Sequence, residues 1–220
     1  MAKAKRPPLS KTERKRAVAD TLAWLKAASN ARIRGDMLAR YGITASKAFG
    51  LKVGDLRARA KLLGQDHGLA QDLWATGWYE ARMIAVFVDD PQYVTEKQME
   101  AWARDFDNWA ICDTACFHLF DKTPHAFGKI KSWSGRKEEF VKRAGFALLA
   151  SVALHGKMLP DSALLDCLPL IEKHAGDGRN FVKKAVSWAL RSIGHCSLAA
   201  RKASLSVANK LAASQEPSCR

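Results

Sequence analysis

No apolar run in this chain approaches the roughly 18 residues of a membrane span, and no signal-peptide pattern opens it. A membrane-spanning or exported class is set aside, and a cytoplasmic, reducing setting is expected. Cysteine is sparse: Cys112, Cys116, Cys167, Cys196 and Cys219 are odd in number and lack any Cys-x-x-Cys spacing. That argues against a disulfide scaffold and a zinc site, so buried thiols are expected, with no metal and no cofactor. Neither G-x-S-x-G nor a Walker loop occurs, nor a Gly-rich strand-to-helix turn, which argues against acyl- and phosphoryl-transfer enzymes. Period-two alternation between hairpin turns is missing, and with it the signal for a sheet. Acid is the last scarcity, with 22 Asp and Glu against 36 Lys and Arg in 220 residues, a net charge of +14.

The charge is unevenly placed. Residues 1–16 carry seven Lys or Arg and one acid, residues 17–128 carry thirteen against fourteen, and residues 129–220 carry sixteen against seven. A field of that sign in the last third favours phosphate over an anionic membrane surface. The opening sixteen residues, with two prolines, read as a loose basic arm, which either touches phosphates or serves solubility. Residues 17–215 read as one domain, long enough for a substantial core.

Helical periodicity runs through that domain. Ala17–Ser29, Arg32–Tyr41 and a loop entering a helix at Phe49–Arg57, with Asp55 as its cap, come first. Helices then follow at about 66–76, 78–90, 95–105, 109–120, 136–155, 160–174, 178–194 and 197–213. Gly, Pro or Asp breaks separate them. Helices of this length with short connections imply hairpins stacked into a curved α-solenoid.

The stretch Phe106-Asp107-Asn108-Trp109-Ala110-Ile111-Cys112-Asp113 holds the candidate chemistry. With Asn108 as cap, Trp109 and Asp113 fall on adjacent turns of one side of a helix. Ile111, Cys112, Ala115, Cys116 and Leu119 form the apolar arc, with Trp109 at its edge and Asp113 just beyond. Two readings are open: a half-buried core Trp beside a solvated acid, or an aromatic face and a carboxylate acting on a cationic centre in nucleic acid. Trp188 projects beside an arc of Val182, Ala185, Val186, Ala189, Leu190 and Ile193, bracketed by Lys184 and Arg191. Arg143 follows Lys142 on a helix whose core face is Phe140, Ala144, Ala147, Leu148 and Val152; it is either a solvated charge or a phosphate contact.

Four segments occur in order: Phe49-Gly50-Leu51-Lys52-Val53-Gly54-Asp55-Leu56-Arg57, Leu73-Trp74-x-x-Gly77-x-x-Glu80-x-Arg82-Met83, the Trp109–Asp113 stretch, and Phe181-Val182-Lys183-Lys184-Ala185-Val186-Ser187-Trp188-Ala189-Leu190-Arg191. Together they resemble the DNA alkylation repair family, the AlkD-like DNA glycosylases built from HEAT-like helical repeats. The resemblance covers about residues 20–195. It implies an all-α solenoid with a concave basic DNA-binding face, acting as a monomer on duplex DNA that contains alkylated bases, without a membrane or an obligate protein partner. It also implies roles for residues. Asp113 matches the essential acid, Trp109 and Trp188 the two aromatics, Arg143 the basic residue near the lesion, and Tyr41 a third aromatic. Ala110 departs from the pattern, where an acid is common. On the wheel it falls toward the polar side, so altered capping or surface charge is expected there.

One carboxylate without a partner acid suits one reaction in particular. A purine alkylated at N3 or N7 is already cationic and leaves as a neutral base, so only the positive charge developing on the deoxyribose needs stabilising. The expected function is excision of such purines. A non-catalytic helical-repeat protein that binds branched or distorted DNA is the alternative, and a protein-binding scaffold the third reading.

Overall fold

The chain is seen here as a computed structural model that describes residues 7–156 and 159–214. The first six residues of the expected arm, Cys219 and the expected domain end at residue 215 lie outside the described residues. Every regular element among the described residues is a helix. Two compact units are distinguished within the chain, one up to Thr95 and one from Glu96.

The first unit contains α1 (Lys11–Ala27), α2 (Ala31–Tyr41), α3 (Val53–Leu63), α4 (His67–Ala75) and α5 (Tyr79–Val88). It closes its own core around Leu25, Leu56, Leu69, Leu73 and Ile84, all fully buried. α1 begins inside the span read as a loose arm. Ser10 accepts from the Glu13 N–H while Glu13 accepts from the Ser10 N–H, a reciprocal cap that starts the helix at Lys11. Arg14 pairs with Asp72 at 2.8 Å, and the Leu9 N–H donates to Asp66 at 2.7 Å, so the segment is tied down. Asp55 is not the cap of α3. Lys52 occupies that position and Asp55 sits in the first turn, where its charge meets the positive end of the helix dipole.

Two of the motif segments meet in this unit for structural reasons. Glu80 is fully buried, and its carboxylate accepts from the backbone N–H groups of Phe49 (2.9 Å) and Gly50 (2.6 Å). Gly50 has φ of 86°, and a Cβ there would stand 2.3 Å from the Asn30 carbonyl oxygen. Phe49 stacks on Trp78 at 4.0 Å. Glu80→Ala strands these buried donors, and a loss of about 3 kcal/mol is expected in urea unfolding. A change below about 0.5 kcal/mol would show that water replaces the carboxylate without cost.

The second unit contains α6 (Glu96–Arg104), α7 (Trp109–His118), α8 (Ala126–Ser134), α9 (Glu139–His155), α10 (Asp161–Leu165), α11 (Leu168–His174), α12 (Asn180–Gly194) and α13 (Leu198–Ala212). A 3-10 turn at Phe120–Lys122 follows α7. α8 lies where the sequence shows only a break. Its Gly128 and two serines weaken helical propensity, but Ile130 and Trp133 are buried and packing supplies the difference. The single helix expected over 160–174 is two, with Pro169 seated in the first turn of α11.

α9 positions the site. It packs against α7, α8 and α12, and Val141 through Ala153 are all buried. The sequence suggested one apolar face, but a helix enclosed on several sides also buries the residues between its apolar positions.

Candidate functional site

The candidate acid stands on α7 where the wheel places it. Asn108 caps the helix by accepting from the Ala110 and Ile111 N–H groups at 3.0 and 3.1 Å. Ile111, Cys112, Ala115 and Cys116 are buried, and Trp109 and Asp113 are half-buried on adjacent turns. The Cys112 thiol donates to the Phe140 carbonyl of α9, and burial pushes it well above the usual thiol range, so it is inert. Ala110 is only 8% exposed. The expectation of a polar-side position there is corrected: its methyl is packed, and an acid in its place would have to be desolvated.

Arg143 is neither solvated nor reaching outward, because it sits within the enclosed stretch of α9. Its Nε and Nη2 donate to the two oxygens of Asp113 at 2.8 and 2.7 Å, and Nη1 donates to the Phe181 carbonyl of α12 at 2.5 Å. The side chains are 7% and 19% exposed for Arg143 and Asp113. One guanidinium from the enclosed helix thus ties α7 to α12. Burial pushes the Asp113 carboxyl above its ordinary value, and Arg143 opposes that rise by bonding and by charge. Burial likewise works against the Arg143 charge, but Asp113 more than offsets it and holds Arg143 above its usual value. Lys142 is also taken up, at 2.8 Å from Asp177. Asp177 is held far below the usual carboxylate range by Arg179 first and by Lys142.

Trp188 reaches the same surface through a residue that the sequence reading passed over. Phe117, one turn after Asp113 on the same side of α7, is stacked with Trp188 at 6.4 Å between ring centroids. Its spacing of four from Asp113 and eight from Trp109 was the available signal. Trp188 is half-buried, and an open cleft of about 650 Å³ runs along α12, lined by Trp188, Lys183, Lys184, Ser187 and Arg191, with Arg143 at one wall. Lys184 and Arg191 are exposed, and Arg191 donates to the Ser187 hydroxyl at 2.5 Å. Tyr41 belongs to the first unit, at the end of α2. It is 54% exposed, with the Arg40 guanidinium 5.8 Å from its ring centroid.

No group of three or more His, Cys, Asp or Glu side chains suited to a metal ion occurs among the described residues, and no described helix is long and apolar enough to cross a membrane.

No curated protein matches the chain. Among solved structures, one belongs to a new family of proteins related to the HEAT-like repeat DNA glycosylases with affinity for branched DNA structures. It superposes with a TM-score of 0.78 over 88% of this chain and 82% of its own, at 17% identity. That likeness gives the fold: an all-α arrangement of the HEAT-like repeat type. The sequence profile described as DNA alkylation repair enzyme matches residues 21–215. A profile match over nearly the whole domain leads to one conclusion: the chain belongs to the DNA alkylation repair enzyme family.

Proposed function

We propose that the protein is a DNA glycosylase that releases cationic N3- or N7-alkylpurines from duplex DNA by hydrolysis of the N-glycosidic bond. The observation that carries this reading is the Asp113 carboxylate, fixed on Arg143 with one side still open, beside the Phe117–Trp188 surface and a cleft edged with cations.

A carboxylate has about four acceptor positions, and the Arg143 fork takes two of them. In this reading the remaining positions serve the developing charge and the attacking water. In the reaction the C1′–N bond breaks and its electrons go to the base, which leaves neutral. The deoxyribose becomes oxocarbenium-like, and Asp113 stabilises that charge without having to reorganise. Water then adds to C1′ and its proton passes to solvent. The Trp109 and Trp188 faces pack on the sugar and add about 0.5–2 kcal/mol each by cation–π attraction. Lys184 and Arg191 hold the backbone phosphates, and Tyr41 supplies a further aromatic contact to the DNA. Arg143 acts on the reaction through Asp113.

A second reading is favoured by the same salt bridge, because a paired carboxylate is a weaker anion than a lone one. On that reading the protein binds branched or distorted DNA without excising a base, as the related structure's family has affinity for branched DNA structures. Incubating the protein with methylated duplex DNA and identifying the bases released decides between them. Free alkylpurine supports the first reading, and tight binding without release supports the second. On either reading duplex affinity falls steeply with salt, since each neutralised phosphate releases condensed counterion. Replacing Lys184 and Arg191 together by Ala should flatten the log–log slope by about two units. A slope unchanged by the double replacement would place the DNA elsewhere.

A further inference from the structure

Beyond the reaction site, the Phe117 ring has a second neighbour. His155, the last residue of α9, meets it edge-on at 4.2 Å between centroids. The His155 Nδ1 lies 2.5 Å from Oδ2 of Asp121, in the turn that follows α7. The two partners differ sharply in exposure, with the Asp121 side chain 1% exposed and the His155 side chain 40% exposed. Asp121 Oδ1 is buried without a hydrogen-bond partner, and burial pushes this carboxyl up while His155 opposes the rise.

Such a pair is not explained by surface stability. A half-open imidazole is well solvated by itself, whereas a buried carboxylate with one oxygen unsatisfied is costly. The arrangement makes sense where ring orientation matters. An ionised Asp121 accepts only, so Nδ1–H points at it and Nε2 is the nitrogen left open toward solvent. Lys122, the next residue, gives one ammonium N–H to the His118 carbonyl at 2.7 Å and has two more to offer. An imidazole and an ammonium thus flank one buried carboxylate, next to the aromatic surface that contains Trp188.

We propose that His155, oriented by Asp121, and Lys122 form a phosphodiester-binding site that guides a DNA strand away from the reacting nucleotide. His155 lies twelve residues after Arg143, about 18 Å along α9 by helical rise, so it sets the path of the strand and takes no part in bond breaking. The phosphodiester oxygens only accept, so Lys122 donates from its ammonium, and His155 binds them in the form that carries a second proton, on Nε2, while its Nδ1–H stays on Asp121. The site deepens the reading of the protein as DNA-directed and rests on it for the identity of the polyanion.

The test uses undamaged fluorescein-labelled duplex, fluorescence anisotropy and a sodium chloride titration. His155→Gln removes the imidazole and Lys122→Gln the ammonium at open positions, and each keeps a polar side chain. Each is expected to weaken binding about three- to tenfold at low salt and to lower the log–log salt slope by about one, with the double variant lowering it by about two. Thermal melting followed by circular dichroism should match the wild type in Lys122→Gln, and binding of His155→Gln is compared at a temperature where circular dichroism shows it folded. Wild-type affinity and slope in both single variants would overturn the proposal. Base release from methylated duplex, measured in parallel, reports on the glycosylase reading separately. A wild type that binds but releases nothing removes that reading, while a lowered slope in His155→Gln still upholds the phosphate site.

Discussion

Asp113→Asn is expected to lower release of N3- and N7-alkylpurines by about a hundred- to thousandfold, the usual worth of a preorganised electrostatic group. The amide is nearly the same size and still accepts from Arg143 at one position, so the loss falls on charge. Affinity for the duplex should hold or rise slightly, because a negative charge facing phosphates disappears. That combination separates a catalytic role from a binding one. Trp188→Ala serves as the internal comparison: it removes a packing and cation–π contact of about 0.5–2 kcal/mol, so its effect should be smaller, about a few- to thirtyfold. Single-turnover release from methylated duplex measures both. Release at the wild-type rate by Asp113→Asn would sink the mechanism.

The second large effect belongs to Arg143, and it should be seen in stability as well as in rate. The guanidinium is 7% exposed and makes both bonds to Asp113, so Arg143→Met leaves a largely buried carboxylate without its counter-ion. Removing one partner of such a pair costs about 3–5 kcal/mol, and the open side of Asp113 puts the expectation near the lower end. The double variant Arg143→Met with Asp113→Asn should recover much of that stability while remaining inactive. The pH profile carries a sign that can be worked out. Burial already raises the Asp113 carboxyl, and Arg143 is what opposes the rise. Without Arg143 the carboxyl moves further up, its protonated fraction at a given pH grows, and the acid limb of the rate profile shifts to higher pH. Urea unfolding and the pH dependence of base release check the two halves. An unshifted acid limb would show that Arg143 does not tune Asp113.

Much of the fold was legible because its signals are local. Caps such as Asn108, apolar positions spaced three and four apart, and glycine or proline breaks act within a few residues. The clearest failures came where that local signal was weak or misplaced. α8 has poor propensity and exists because Ile130 and Trp133 find a core. α1 starts six residues earlier than expected, because a capping box at Ser10 was hidden in a run of positive charge. The candidate site was partly legible for the same reason: Trp109 and Asp113 share one helix, and their common side follows from spacing alone.

The sequence by itself thus determined the helical class, the basic balance and the side of α7 on which the acid stands, since composition and helical period need no knowledge of the rest of the chain, and the order of its motif segments carried the resemblance to the family. Only the tertiary structure decided what surrounds that acid. Whether Arg143 is solvated depends on how many helices enclose α9, and no wheel drawn for α9 alone contains that information. Its pairing with Asp113 joins residues 30 apart in sequence, and its bond to the Phe181 carbonyl joins residues 38 apart. The same holds for His155 and Asp121, which are 34 apart. Such pairs form because buried charges must find partners wherever the chain brings them, and packing sets those meeting points.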